Sequence, residues 1–367
     1  MTNPLVQLGH LGQSPWFDYI TRDLVTSGEL QRLIAEDGLR GMTSNPTIFE
    51  KAIAGSALYD NDIRRMAEAG LQPKAIFERL AVADVRAACD AFAEVHRASA
   101  GLDGLVSLEV DPTLAHDTGG TTTEARRLWA EVNRPNAMIK IPGTVAGLPA
   151  IACCLSEGIN VNVTLLFSVA RYRQVIAAFL DGLEARLASG GSVRGLASVA
   201  SFFVSRLDGK VDGQLDKAGA DKALRGTAAI ANACQAYAGF QEMVGSARWQ
   251  RLAEAGALVQ RPLWASTSTK DPAYPDGYYV EALIGQHTVN TLPPATFEAY
   301  RDHGAPELRI QEGVARADGQ LGALRQAGID LAAITAQLEA EGVSSFAASY
   351  TSLLAGIESK LGALTAR

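Results

Sequence analysis

Histidine is scarce in this chain, and its scarcity removes one class of chemistry first. Five histidines occur in 367 residues, at positions 10, 96, 116, 287 and 303. None sits in an HxH or HExxH arrangement, so distant residues would have to converge to hold a metal, and no metal is expected. Cysteine is equally sparse. The four, Cys89, Cys153, Cys154 and Cys234, form no C-x-x-C pair and suggest no disulfide framework. They read as small buried residues of a reducing cytoplasm, which sets the expected localisation. No uncharged apolar run reaches about 18 residues, so no membrane-spanning helix is expected. The first residues, MTNPLVQLGHLGQSPW, lack both a basic n-region and an apolar h-region, so they do not read as a signal peptide. There is no basic stripe, and the net charge is −7, which argues against nucleic acid as a partner. A few local cations can still hold a small anionic substrate. Neither GxGxxG nor GxxxxGK[ST] occurs, so no glycine-rich phosphate loop is expected.

What is present is an alternation. Eight extended-looking segments recur, at 14–20, 39–45, 105–110, 136–141, 161–167, 196–204, 261–267 and 287–292. Most carry Gly, Pro, Asn or Asp near an end, and their largely apolar interiors suit a parallel sheet covered on both faces. Helical patterns lie between them. Residues 73–96 place apolar residues at three- and four-residue spacing. Ser168 is placed to cap VARYRQVIAAFL. The polar GGTT at 119–122 leads into TEARRLWAEV, and residues from 330 onward read as a long helical tail. Eight strands alternating with helices predict an α/β fold, a (β/α)8 TIM barrel with additional helices and a C-terminal helical extension. The competing doubly wound sheet more often carries a glycine-rich phosphate loop, which is missing here. The long gaps after the second and sixth strands read as extra helices, because no Pro/Gly/Ser-rich linker marks a second domain. The expected organisation is one domain over 1–367, with a barrel core at about 14–300 and a helical segment at about 305–367. That length leaves no room for a second catalytic domain, so a bifunctional fusion is not expected.

In a barrel the chemistry sits at the C-terminal ends of the strands. The polar residues there are Asp18, Asn45, Glu109, Lys140, Asn162 with Thr164, Ser201 and Ser266. One amine, two carboxylates, amides and hydroxyls are the groups that carbonyl chemistry needs. Lys140 stands in NAMIKIPGT, on an apolar strand. Apolar burial disfavours its charged form, and a neutral amine can attack a carbonyl to form a Schiff base. The plainer reading is a lysine that snorkels to the rim or pairs with Glu109. Asp18, in WFDYI, suits general acid/base work; its plainer reading is a cap for the helix beginning near Thr21. Glu109, in SLEVDP, faces the barrel interior or pairs with Lys140. Asp111 belongs to the turn with Pro112.

WFDYITRDL, GMTSNPTIFEKAI, VSLEVDP, NAMIKIPGT with the following GLPAI, and INVNVTLLFS resemble the transaldolase family, in order, from about residue 14 to residue 290. The resemblance implies a class I aldolase-type barrel and a Schiff-base mechanism with no metal and no cofactor. Lys140 is then the Schiff-base lysine, and Asp18 the acid/base at the C4 hydroxyl. Glu109 and Thr164 hold the proton-shuttling water, and Asn45 and Asn162 bond the dihydroxyacetone part. Ser201 contacts the terminal hydroxyl, Phe203 lines the site and Arg206 binds phosphate; without the resemblance, Arg206 reads as a surface partner of Asp208. ASTSTKDPAYPD lacks the arginine of shorter members near Ser266, and Lys270 is placed as the second phosphate cation. The expected reaction moves a dihydroxyacetone unit from fructose 6-phosphate or sedoheptulose 7-phosphate to erythrose 4-phosphate or glyceraldehyde 3-phosphate. A fructose 6-phosphate aldolase-like enzyme is the alternative, and WFDYITRDL favours the transferase. A non-catalytic sugar-phosphate sensor would bind such ligands without a trapped adduct. Sugar phosphates are the expected partners, without nucleic acid or membrane, and the chain is expected as a monomer or homodimer.

Overall fold

The computed structural model describes residues 3–365. The outermost residues of the expected domain, 1–2 and 366–367, lie outside that range. Eight strands follow one another: β1 (Gln13–Asp18), β2 (Gly41–Thr43), β3 (Leu105–Glu109), β4 (Ala137–Pro142), β5 (Val161–Leu166), β6 (Ser198–Phe203), β7 (Arg261–Ala265) and β8 (Thr288–Leu292). Each pairs in parallel with the next, and β8 closes on β1, so the sheet is a closed barrel in chain order. All six residues of β4 and of β5 are buried, as strands sandwiched between a filled interior and a helical shell must be.

The strands are shorter than their sequence patterns wherever a helix cap intervenes. The first pattern runs to residue 20, but Thr21 turns to cap the helix Arg22–Thr26 through its Oγ1, 3.2 Å from Leu24 N. The second runs to residue 45, but Asn45 caps the helix Pro46–Ala54 with Oδ1 3.0 Å from Ile48 N. Proline at the first helical position loses no hydrogen bond, so the TSNPT motif is also a strand-to-helix switch. Ser168 caps Val169–Ala188 as its position predicts, with Oγ 3.1 Å from Arg171 N. The GGTT stretch differs from expectation. It lies inside the helix Thr118–Val132, because Asp117 supplies the cap earlier, 2.9 Å from Gly120 N. The helix expected over 73–96 is two, Pro73–Ala91 and Ala93–Ala98, broken at Phe92.

The C-terminal segment forms the helices Ile310–Gln326 and Leu331–Thr365. The last one lies across the barrel mouth. Ser349 Oγ accepts from Thr47 Oγ1 at 2.8 Å, and Ser352 Oγ donates to Glu50 at 2.5 Å. Tyr350 packs edge-on to Phe77, with centroids 5.7 Å apart. At the opposite, N-terminal end of the barrel, Arg261 is 2% exposed and bonds Ser14 Oγ at 2.8 Å and Asp103 at 2.9 Å. A buried charge needs such a partner set, and its position at the strand starts marks it as structural. None of the four cysteines forms a disulfide, and three of them are buried. Among the described residues, no helix is long and apolar enough to cross a membrane.

Candidate active site

The C-terminal ends of the strands surround a cavity of about 550 Å³. Eight of the residues singled out in the sequence line it: Asp18, Asn45, Lys140, Ser201, Phe203, Arg206, Ser266 and Lys270. Glu109, Asn162 and Thr164 do not line it. Strand register explains their places. Glu109 on β3 stands opposite Lys140 on β4, and Lys140 stands opposite Asn162 on β5, so the three side chains leave the sheet on the same face.

Lys140 Nζ lies 3.5 Å from Glu109 Oε2, and the two side chains are 5% and 4% exposed. The amine donates to Ser44 O at 3.0 Å. Of the readings left open for Lys140, the rim position is excluded and the approach to Glu109 is present: the strand is apolar, but its end places the amine among a carboxyl group, a carbonyl and an aromatic ring. Phe346 supplies that ring, its centroid 5.8 Å from Nζ. Among the described residues, neither Glu109 oxygen has a hydrogen-bond donor, and Thr164 Oγ1, also buried, has no partner. Burial pushes the Glu109 carboxyl up to about 7, with the nearby charge of Asp18 adding to the rise and Lys140 opposing it. A carboxyl titrating near neutrality can both give and take a proton at working pH.

Asp18 ends β1. Burial raises its pKa, while Lys140 and the Thr43 hydroxyl oppose the shift. Thr43 Oγ1 donates to Asp18 Oδ1 at 2.6 Å and lies 2.6 Å from Thr291 Oγ1. Thr43 has one hydroxyl proton, so while Asp18 is ionised the Thr291 hydroxyl donates to Thr43. This relay fixes one carboxylate oxygen and leaves Oδ2 outside it. The plainer reading of Asp18 as a helix cap is corrected, since Thr21 occupies that position.

Asn162 is fully buried and used at both ends. Its Nδ2 donates to Ser107 Oγ at 2.9 Å, and its Oδ1 accepts from Ser201 Oγ at 2.7 Å. It orients Ser201, which does line the cavity. Asn45 spends its Oδ1 on the helix cap and lines the cavity. Two non-glycine residues at the rim adopt left-handed backbone, Leu165 at φ 60° and Ser266 at φ 55°. Each such residue costs on the order of 1–3 kcal/mol, a strain that surrounding structure must hold in place. Leu165 sits in a bulge where the β5–β6 register shifts, directly after Thr164. Gly143 packs closely nearby: a Cβ there would meet Leu166 Cδ2 at 2.4 Å and Val163 Cγ1 at 3.1 Å, and the leucine would have to shift.

Arg206 is not the partner of Asp208. That carboxyl accepts from Ala229 N at 2.7 Å and from Tyr279 Oη at 2.9 Å. Arg206 instead lies against Phe203, its guanidinium carbon 5.5 Å from the ring centroid. Among the described residues it has no ion pair. Burial lowers its pKa, and Lys270 is lowered by burial and by the charge of Arg206. The Glu341 carboxylate, whose charge reaches Arg206, is paired with Lys210. Lys270 reaches Ser268 Oγ at 2.6 Å. The sequence reading missed Thr43, Thr291, Lys51 and Phe346, all of which line the cavity. Thr43 and Thr291 carried the same strand-end signal as the residues singled out; Phe346 carried none, because its helix is remote in sequence.

A barrel with a buried lysine facing two carboxyl groups at its C-terminal mouth defines a class of carbonyl-active enzymes, and sequence comparison narrows it. The profile of the transaldolase/fructose-6-phosphate aldolase family matches residues 15–357, and the chain belongs to that family. A transaldolase of Acidothermus cellulolyticus is 51% identical over 98% of each chain. One of Parafrankia sp. is 49% identical, and transaldolase 2 of Nostoc sp. 48% identical, each over 99% of both chains. Full-length similarity at this level assigns transaldolase activity, a transferase reaction, and the fold agrees with it.

Proposed function

We propose that the transfer proceeds through a Schiff base on Lys140, moving a dihydroxyacetone unit between sugar phosphates. The donor is fructose 6-phosphate or sedoheptulose 7-phosphate, and the acceptor erythrose 4-phosphate or glyceraldehyde 3-phosphate. The observation that carries this reading is the 3.5 Å approach of the buried Lys140 amine, which lines the cavity, to Glu109 behind it. Glu109 takes a proton from the lysine, and the free amine adds to C2 of the ketose. The same carboxyl returns a proton as water leaves the carbinolamine, with Thr164 placed to hold that water. The iminium withdraws electrons from C3. Asp18 takes the C4 hydroxyl proton, the C3–C4 bond breaks and the aldose phosphate departs. The three-carbon fragment stays on Lys140 until a second aldose phosphate accepts it. Asn45, Ser201 and Ser266, which line the cavity, bind the hydroxyls of the substrate, while the buried Asn162 orients Ser201. Phe203 backs Arg206, which with Lys270 takes the phosphate. The reducing cytoplasm is the compartment that suits the free thiols.

Borohydride reduction with fructose 6-phosphate, followed by peptide mass spectrometry, tests the reading. A reduced adduct on Lys140 is expected; an adduct on another lysine, or none, overturns it. Two consequences are separately measurable. Arg206→Ala is expected to raise KM for fructose 6-phosphate by about 10–100-fold, the worth of one charged hydrogen bond, with a smaller change in kcat. Unphosphorylated fructose should show no such loss; an equal loss on both substrates would remove Arg206 from the phosphate site. The adduct-forming step is expected to speed up as pH rises through about 7, where Glu109 ionises. Glu109→Gln should slow that step by roughly 10²-fold or more and abolish this limb of the pH profile. Rapid-quench trapping across pH 5–9 checks both.

A further inference from the structure

The active site has a roof that the catalytic scheme does not use. The helix Leu331–Thr365 is tied to both sides of the barrel mouth. Glu341 pairs with Lys210, on the helix after β6, at 2.7 Å. Ser349 bonds Thr47, on the helix after β2, at 2.8 Å. Between these ties the helix seats closely on β5, since a Cβ at Gly342 would already meet Leu165 Cδ2 at 3.0 Å. One turn further on, the helix directs Phe346 into the cavity. The residue is 4% exposed, and its ring centroid lies 5.8 Å from Lys140 Nζ. A ring so placed covers the nitrogen that becomes the iminium. It has no hydrogen-bonding group with which to hold water, and its face attracts a cation.

We propose that Phe346 is a positioning residue that keeps water from the lysine-bound three-carbon fragment and so sets the partition between transfer and hydrolysis. The inference rests on the Schiff-base reading of Lys140. Hydrolysis has defined steps. The carbanionic carbon of the fragment takes a proton, which gives the iminium of dihydroxyacetone. Water adds its oxygen to C2 and passes a proton to a carboxylate. The C2–N bond of the resulting carbinolamine then breaks, a proton moves to the nitrogen, and dihydroxyacetone leaves with the amine restored. Productive transfer requires the fragment to outlast the exchange of one aldose phosphate for another, so a shield against water acts on the competing step alone. Closing a site against water is a general means of protecting such a fragment.

The test is the ratio of free dihydroxyacetone released from fructose 6-phosphate to three-carbon transfer onto erythrose 4-phosphate, in Phe346→Ala and Phe346→Leu. The ratio is expected to rise about tenfold in the alanine variant, as a barrier lowered by ~1.4 kcal/mol would give, and by less in the leucine variant, which keeps apolar bulk. If both rates fall together at a constant ratio, or the ratio keeps its parent value in both variants while the Lys140 adduct is still trapped, the proposal is overturned. Should the alanine variant lose its circular dichroism spectrum, the leucine variant decides by the same ratio. Failure to trap any adduct in the parent protein overturns the Lys140 reading instead.

Discussion

Lys140→Ala is expected to lose turnover by at least ~10⁴-fold, the scale of removing a covalent nucleophile, and to lose the borohydride-trapped adduct completely. Two other lysines line the cavity, Lys51 and Lys270. Neither can inherit the chemistry. Lys51 is exposed on the helix Pro46–Ala54, and Lys270 stands beside Arg206 with its amine on Ser268. Lys140 alone has the Glu109 carboxyl at 3.5 Å and the charge of Asp18 nearby. Lys140→Arg is the matching control, since it keeps a cation beside Glu109 and cannot form an imine; it should be equally inactive. Turnover within tenfold of the parent in either variant would remove Lys140 from the mechanism. The alanine variant also carries a stability signature. Glu109 already titrates at about 7, above its ordinary 4.5, so the folded state binds more protons than the unfolded one in that window. Its contribution is therefore present at low pH and lost as pH rises toward 7. Removing the lysine takes away the charge that opposes this rise, for Glu109 and for Asp18. The variant should lose stability relative to the parent as pH climbs from 5 to 9, which thermal melts at the two ends read directly.

The barrel was legible because parallel strands buried on both faces leave a run of apolar residues broken only where a polar side chain enters the site. That is why KIPGT and VNVTLLF marked both a strand and its catalytic end. The surroundings of Lys140 were less legible. Sequence left Lys140 between apolar burial and a pair with Glu109, and the β3–β4 register, a tertiary property, sets the two face to face. The same limit hid the link from Thr291 through Thr43 to Asp18, which needs β8 to close on β1. Arg206 read alone as a partner of Asp208, two residues on. The helix Ser205–Ala218 sends Asp208 toward Tyr279 and Ala229 instead, leaving the arginine with Phe203. Phe346 lies more than two hundred residues beyond Lys140 in the chain, on a helix whose own pattern says only that it is long. Its place over the amine is set by ties to Thr47 and Lys210 that no local motif encodes.

Asp18→Asn is expected to separate adduct formation from carbon–carbon cleavage. The amide matches the carboxylate in shape, and its carbonyl oxygen can still accept the 2.6 Å hydrogen bond from Thr43. It cannot take the C4 hydroxyl proton. The loss in kcat should lie between about 10² and 10⁴, the range for removing a positioned general base. Lys140, Glu109 and Thr164 are untouched, so the imine still forms. The distinguishing measurement is the mass of the trapped species. The parent protein, turning over fructose 6-phosphate, should carry the three-carbon fragment after reduction, whereas Asp18→Asn should carry the intact hexose phosphate. The pH profile gives an independent check. Burial raises the Asp18 pKa, and cleavage needs its ionised form, so parent cleavage should fall as pH drops through that raised value. The asparagine variant should show no such limb. A three-carbon adduct formed by the variant at the parent rate would move the C4 proton to another group. The absence of any adduct would mean instead that the end of β1 acts before the imine exists, in shaping the site around Lys140.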